Sequence, residues 1–96
     1  MLHFIFQSMI NPVLQRIDSS DDVVFLENAI FQVNKGNSLC TEVELLLNTN
    51  VQCYVLAEDL ETRGFIADDL ITGINVIDYP ELVKLTEKNK QILTWS

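Results

Sequence analysis

Apolar residues fall along this chain in short blocks, and most blocks are apolar at odd and even positions alike. Val51-Gln52-Cys53-Tyr54-Val55-Leu56 shows the pattern best. Successive side chains of an extended segment point to opposite faces. Val51, Cys53 and Val55 therefore share one face, and Tyr54 and Leu56 the other. A strand that is apolar on both sides is covered on both sides, as in the parallel sheet of an α/β domain. Polarity then changes abruptly. Glu58 and Asp59 suit the positive end of a helix, and Gly64 is placed to take the left-handed conformation that ends one. The strand–turn–helix unit Val51–Gly64 is the centre on which the other elements are expected to pack.

The first block, Leu2–Phe6, reads as a strand interrupted only by His3. Asn11 and Pro12 then suit the cap and first position of a helix, with Val13, Leu14 and Ile17 as its apolar stripe and Asp18–Asp21 as the turn that follows. Asp22–Glu27 reads as a second strand around Val23-Val24-Phe25-Leu26. Ile30 and Val33 suggest one or two helical turns over Ala29–Val33, and Asn34–Ser38 is a loop. Thr41-Glu42-Val43-Glu44 has capping-box spacing, with Thr41 as the cap. The helix it opens runs through Leu45–Leu47 and ends near Asn48–Asn50. Phe65–Ile71 fits either a helical turn or an extended connector. Gly73–Asp78 reads as a fourth strand, with Ile74 and Val76 on one face and Asn75 and Ile77 on the other. Pro80 fits the first position of the last helix, whose inner face is Leu82, Val83, Leu85 and Thr86. Ile92, Leu93 and Trp95 mark a docked edge strand.

Strands alternating with helices imply right-handed crossovers. The expected fold is therefore α/β: three layers, with a mainly parallel sheet of four to five strands and helices on both faces. The length of 96 residues predicts a single domain, 1–96. A core this small is thin, so burial in an oligomer would help it.

Charge narrows the function. Fourteen acidic residues against six basic ones give a net charge of −8, which opposes direct binding to a nucleic-acid backbone. The cluster Lys84, Lys88 and Lys90 lies where it compensates a helix dipole. Met1–Phe6 is apolar but short and lacks a basic flank, so it is not read as a targeting segment. No apolar run approaches the roughly 20 residues of a membrane span. These features predict a soluble, cytoplasmic chain.

Ligands of open parallel sheets bind beyond the carboxyl ends of the strands. Here those ends carry Gln7 and Ser8, Glu27 and Asn28, Glu58 and Asp59, and Asp78 and Tyr79. There is no G-x-G-x-x-G and no P-loop, so a nucleotide is not expected. Glu27, Asp59 and Asp78 are metal-ligand types, but acids at helix starts have a structural reason to be there. No metal or cofactor is therefore assigned. Ser8 has no histidine partner, because His3 is the only histidine and stands at the other end of the first strand. His3 itself reads as packed or as an interface residue. Cys40 and Cys53 lack the spacing of a zinc site. Cys53 lies mid-strand and reads as core. Cys40 stands beside a helix start, which favours a thiolate, while Glu42 and Glu44 oppose one. Cys40 is thus the sole candidate for a reactive thiol.

The chain resembles the DsrH/TusB family of small sulfur-relay proteins. The matching residues are Met1-Leu2-His3 with Gln7-Ser8, Asp22-Val23 through Glu27-Asn28, Tyr54-Val55-Leu56 with Glu58-Asp59-Leu60 and Arg63-Gly64, Ile77-Asp78-Tyr79, Val83–Thr86, and Trp95. The resemblance implies a DsrE/F/H-like fold and a heterohexamer with TusC- and TusD-like subunits. Such a complex relays persulfide sulfur towards 2-thiolation of the wobble uridine of tRNA. In isolation the chain is expected to form a homo-oligomer. The DsrH branch, which serves sulfur oxidation, carries a cysteine of its own in the first helix. Pro12–Asp18 has none, and Val13 stands about where it would fall. The resemblance therefore implies a TusB-like subunit without a catalytic residue, the alternative being a DsrH-like sulfur carrier using Cys40. The family's Glu-Asp-Gly turn after the second strand reads Glu27-Asn28-Ala29 here. His3, Leu93 and Trp95 are the residues expected at the partner surface.

Overall fold

The protein is described by a computed structural model, which covers residues 1–7, 16–37 and 40–95, with Cys40 represented by its backbone alone. Five strands form one sheet: β1 (Leu2–Ile5), β2 (Asp22–Phe25), β3 (Gln52–Leu56), β4 (Ile74–Ile77) and β5 (Ile92–Trp95). Their order is β4-β3-β2-β1-β5, and all four pairings are parallel. Three α-helices are described: α1 (Cys40–Asn48), α2 (Ala57–Thr62) and α3 (Tyr79–Lys88). Two 3₁₀ segments, Glu27–Val33 and Ala67–Asp69, complete the described elements. The second settles the reading of Phe65–Ile71 as a short turn between extended residues. Leu70 after it makes an antiparallel bridge to Asn34. The helix expected from Asn11 begins outside the described residues, as does Ser8.

The strand order decides which face each connection covers. From β1 to β4 the chain steps steadily towards one edge, and the last connection returns to the other. With one handedness for all crossovers, the forward connections cover one face and the return helix α3 covers the opposite one. The packing agrees. Ala29, Ile30 and Val33 of the first 3₁₀ segment, with Val43 and Leu46 of α1, pack with Ile5, Val23, Phe25, Cys53 and Val55. On the other side Leu85, with Leu82 beside it, packs with Leu2, Val24, Leu56 and Ile77. The alternation expected in Val51–Leu56 is thus the division between the two layers. Five strands at about 4.8 Å spacing are wider than one helix of about 10–12 Å. Phe4, Phe6 and Tyr54 on the α3 face accordingly remain only partly buried.

Two helix starts differ from the sequence reading. Thr41 is not the cap of α1, because the helix begins at Cys40 and Thr41 is already its second residue. The reciprocal box instead forms at Asp78: its carboxylate accepts the Glu81 N–H at 2.9 Å, and Glu81 accepts the Asp78 N–H at 3.2 Å. Pro80 is consequently the second helical residue, not the first, where its missing N–H still costs no bond. Val83 is 52% exposed and does not belong to the inner face of α3. Leu82 and Leu85 already meet the sheet, and Val83 points away from that line.

Gly64 ends α2 as expected. Its φ is +79°. Its N–H donates to Glu61 at 3.1 Å, and the Phe65 N–H donates to Leu60 at 3.0 Å. This is the Schellman arrangement, with the apolar pair Leu60 and Phe65 joining the same cluster. A Cβ on Gly64 would meet no atom within 4 Å, so Gly64→Ala carries only the left-handed penalty. The expected loss is about 1 kcal/mol. At Gly73, φ is +104° and a Cβ would also lie 3.2 Å from Leu47 Cδ1. Gly73→Ala should therefore melt lower than Gly64→Ala in parallel thermal scans.

Candidate functional site

The carboxyl ends of the strands are helix starts. Asp59 lies in the first turn of α2, and its Oδ2 accepts the Glu27 N–H at 3.2 Å, joining the ends of β2 and β3. Asp78 is occupied in capping α3. Glu27, Asp59 and Asp78 are not drawn together: no group of three or more His, Cys, Asp or Glu with the geometry to hold an ion occurs among the described residues. Glu27 carries the sharp turn itself, with φ +51°. Such a backbone costs a non-glycine residue on the order of 1–2 kcal/mol. The glycine missing from Glu27-Asn28-Ala29 is thus not needed at its third position, where Ala29 is fully buried in the 3₁₀ segment.

The thiols differ in what can be said of them. Cys53 is fully buried on the α1 side of β3 and unpaired. Burial pushes its thiol up to about 12, so it is protonated and inert at neutral pH. This agrees with its reading as core. Cys40 is the first residue of α1, and its side chain lies outside the described residues. Next to Cys53, burial and then the Asp22 charge push the Tyr54 hydroxyl above its usual value.

The densest polar arrangement gathers around His3 and Asp21 near the starts of β1 and β2, and the Trp95 side chain reaches it from the last residue of β5. His3 is fully buried within this chain. Its Nε2 lies 2.9 Å from Asp21 Oδ2, and its Nδ1 accepts the Trp95 indole N–H at 3.2 Å. The two rings are close to parallel, with centroids 6.5 Å apart. Asp21 Oδ2 also accepts the Asp18 N–H at 3.0 Å, and Oδ1 accepts the Met1 ammonium at 3.2 Å. Burial alone would raise the Asp21 carboxyl, but the bonds from His3, Asp18 and Met1 outweigh it and hold the group below its usual value. The Arg16 guanidinium stands 5.9 Å from the Trp95 ring centre. Leu93 and Trp95, the other two residues expected at the surface, are partly buried on β5.

Beside this arrangement, buried Asp22 Oδ2 accepts Lys88 Nζ at 3.2 Å and Asn89 Nδ2 at 3.1 Å. Lys88 therefore pins the end of α3 to β2, besides standing at its dipole's negative end. Neither set was legible locally. His3 and Trp95 are 92 positions apart, and Asp22 and Asn89 are 67 apart. Only the parallel pairing of β1 with both neighbours brings them together.

Comparison with known proteins places the chain. Residues 5–92 match the family model described as DsrH like protein. Protein TusB of Buchnera aphidicola subsp. Baizongia pistaciae is 32% identical over 99% of this chain and all of its own length. Protein TusB of Serratia proteamaculans is 34% identical, over 88% of this chain and 85% of its own. Among solved structures, the ychN protein of E. coli superposes with a TM-score of 0.78 at 16% identity, covering 98% of this chain and 97% of its own. A protein of unknown function from Methanobacterium thermoautotrophicum also reaches 0.78, at 14% identity, over 98% of this chain and 96% of its own. At such identities these two bear on the fold alone. With the family match spanning residues 5–92 and relatives more than 30% identical over most of the chain, the chain belongs to the DsrH-like family.

Proposed function

We propose that this chain is the TusB-like, non-catalytic subunit of a sulfur-relay complex, assembled with TusC- and TusD-like chains and supporting 2-thiolation of the tRNA wobble uridine. The observation that carries the reading is the end-to-end similarity to Protein TusB sequences. The chemistry is consistent with it. Cys53 is buried and held protonated, and the acids at the strand ends are engaged in turns and caps. Net charge of −8 disfavours contact with the tRNA itself, which leaves delivery to other chains. Among the described residues no helix is long and apolar enough to cross a membrane.

The test is co-expression of the tagged chain with TusC- and TusD-like partners, followed by sizing of the purified material. The expected result is one hetero-oligomer containing all three chains, and restored 2-thiouridine in a strain lacking its own TusB. A chain that remains alone in the presence of both partners, with thiolation unrestored, overturns the proposal.

A second reading has one observation in its favour. Cys40 opens α1, where backbone N–H groups favour a thiolate. A Cys40 thiolate would attack the terminal sulfur of a donor persulfide, forming a new S–S bond as the donor leaves as thiolate. Mass spectrometry after incubation with a cysteine desulfurase and cysteine separates the readings. One added sulfur that is lost in Cys40→Ser supports the carrier, and no added sulfur removes it.

A further inference from the structure

The geometry of the network around His3 makes it sensitive to a single proton. An indole N–H can only donate. Since Trp95 Nε1 lies 3.2 Å from His3 Nδ1, Nδ1 must present its lone pair. The ring proton is then on Nε2, donated to Asp21 Oδ2. This is the neutral tautomer, fixed from both sides by partners of opposite character.

An imidazolium has two donors and no acceptor. A second proton leaves the bond to Asp21 in place and adds charge attraction to it. On the other side it sets an N–H against the indole N–H. Asp21 therefore holds the ring still while the contact to Trp95 becomes repulsive. The charged groups facing this circuit among the described residues are Asp21 from the turn before β2, the Met1 ammonium preceding β1 and bonded to Asp21, and Arg16 against Trp95. Asp18 contributes only its backbone N–H. Arg16 cannot relieve the clash, because it too is a cation and a donor.

What gives way is the strand that carries Trp95. β5 lies at the edge of the sheet and pairs with β1 alone. Ile92 and Thr94 are exposed on its α3 side, and Trp95 itself is only partly buried. His3 is fully buried on β1, between β2 and β5. We infer that His3 is a proton-operated clasp for the C-terminal strand: protonation at Nδ1 releases Trp95 and loosens β5 from β1. The inference is independent of the sulfur-relay reading and needs no partner.

The chain has one tryptophan and one histidine, so both ends of the clasp can be read without ambiguity. The experiment follows the emission maximum of Trp95 and the hydrogen-exchange protection of β5 amides from about pH 8 to about pH 5. This range stays above the titration of most carboxylates. On acidification the emission should move to longer wavelength. Protection in β5 should fall about tenfold, the worth of one hydrogen bond, while β2 and β3 keep theirs. His3→Asn retains an acceptor near Nδ1 but cannot titrate, and its emission should stay constant over the range. Trp95→Phe removes the opposing donor, and its β5 protection should lose its pH dependence. Constant emission and protection in the unaltered chain, or the same transition persisting in either variant, would overturn the inference.

Discussion

Replacing Asp21 with alanine lowers the stability of the chain by about 3 kcal/mol, the expected cost of breaking a buried, charged hydrogen-bond centre. Asp21 is 8% exposed and accepts from three donors. Met1 is 42% exposed, so its ammonium can turn to water. His3 is sealed in and cannot, so its Nε2–H is left without an acceptor. In a chain of this size the loss corresponds to a melting temperature lower by on the order of 15 °C. Thermal unfolding followed by circular dichroism measures it, and a variant melting within about 3 °C of the parent would show that Asp21 does not hold this end of the sheet.

The same residue has a defined pH signature. Its folded-state value is lowered, so the native state binds fewer protons than the unfolded chain and stability rises with pH across the transition. The Asp21 contribution is complete above about pH 4, the ordinary aspartate range, and is lost as pH falls through the still lower folded value. The gap between the parent and Asp21→Asn should stay level near neutrality and close below about pH 4.

Phe25→Ala is expected to have the largest effect of all, about 4 kcal/mol. Phe25 is fully buried on β2, the middle strand, between the first 3₁₀ segment and α1. Domains of this class are stable by only about 5–15 kcal/mol, so the loss would consume much of the margin. Phe31 provides the contrast. It is 42% exposed and meets Phe65 edge-on at 5.4 Å, and Phe31→Ala should cost about 1 kcal/mol. Urea unfolding of both variants tests the pair. Equal midpoints would contradict the assignment of Phe25 to the centre of the core.

The layers were legible because the strands carry them in their own residues. Cys53 and Val55 against Tyr54 and Leu56 already separate the two faces, and Ile92-Leu93-Thr94-Trp95 already reads as an edge. Local motifs were less dependable. Thr41 and Glu44 have the spacing of a cap, yet the helix starts one residue earlier. Asp78 and Glu81 have the same spacing and form the box, but Asp78 also reads as the end of a strand. A capping pattern fixes what a residue can do if a helix starts there, not whether it does. The buried polar network was the least legible part. His3 and Asp21 look unremarkable where they stand, and their roles depend on pairing across the sheet. The acidic residues at the strand ends were legible in the sequence, whereas the engagement of Asp59 and Asp78 needed the hydrogen bonds of the fold.

The place of β5 bears on the order in which this molecule is made. Its partner, β1, comes from the other end of the sequence, and the contact between His3 and Trp95 spans 92 positions. The pairing of β1 with β2, and then of β2 with β3 and β4, joins segments much closer in sequence. Closing a long loop carries an entropic cost that must be met before its contacts form. During synthesis, four strands can assemble while the β1 edge and the His3 ring wait for a strand that does not yet exist. Until residue 95 has left the ribosome, β1 is still an open edge.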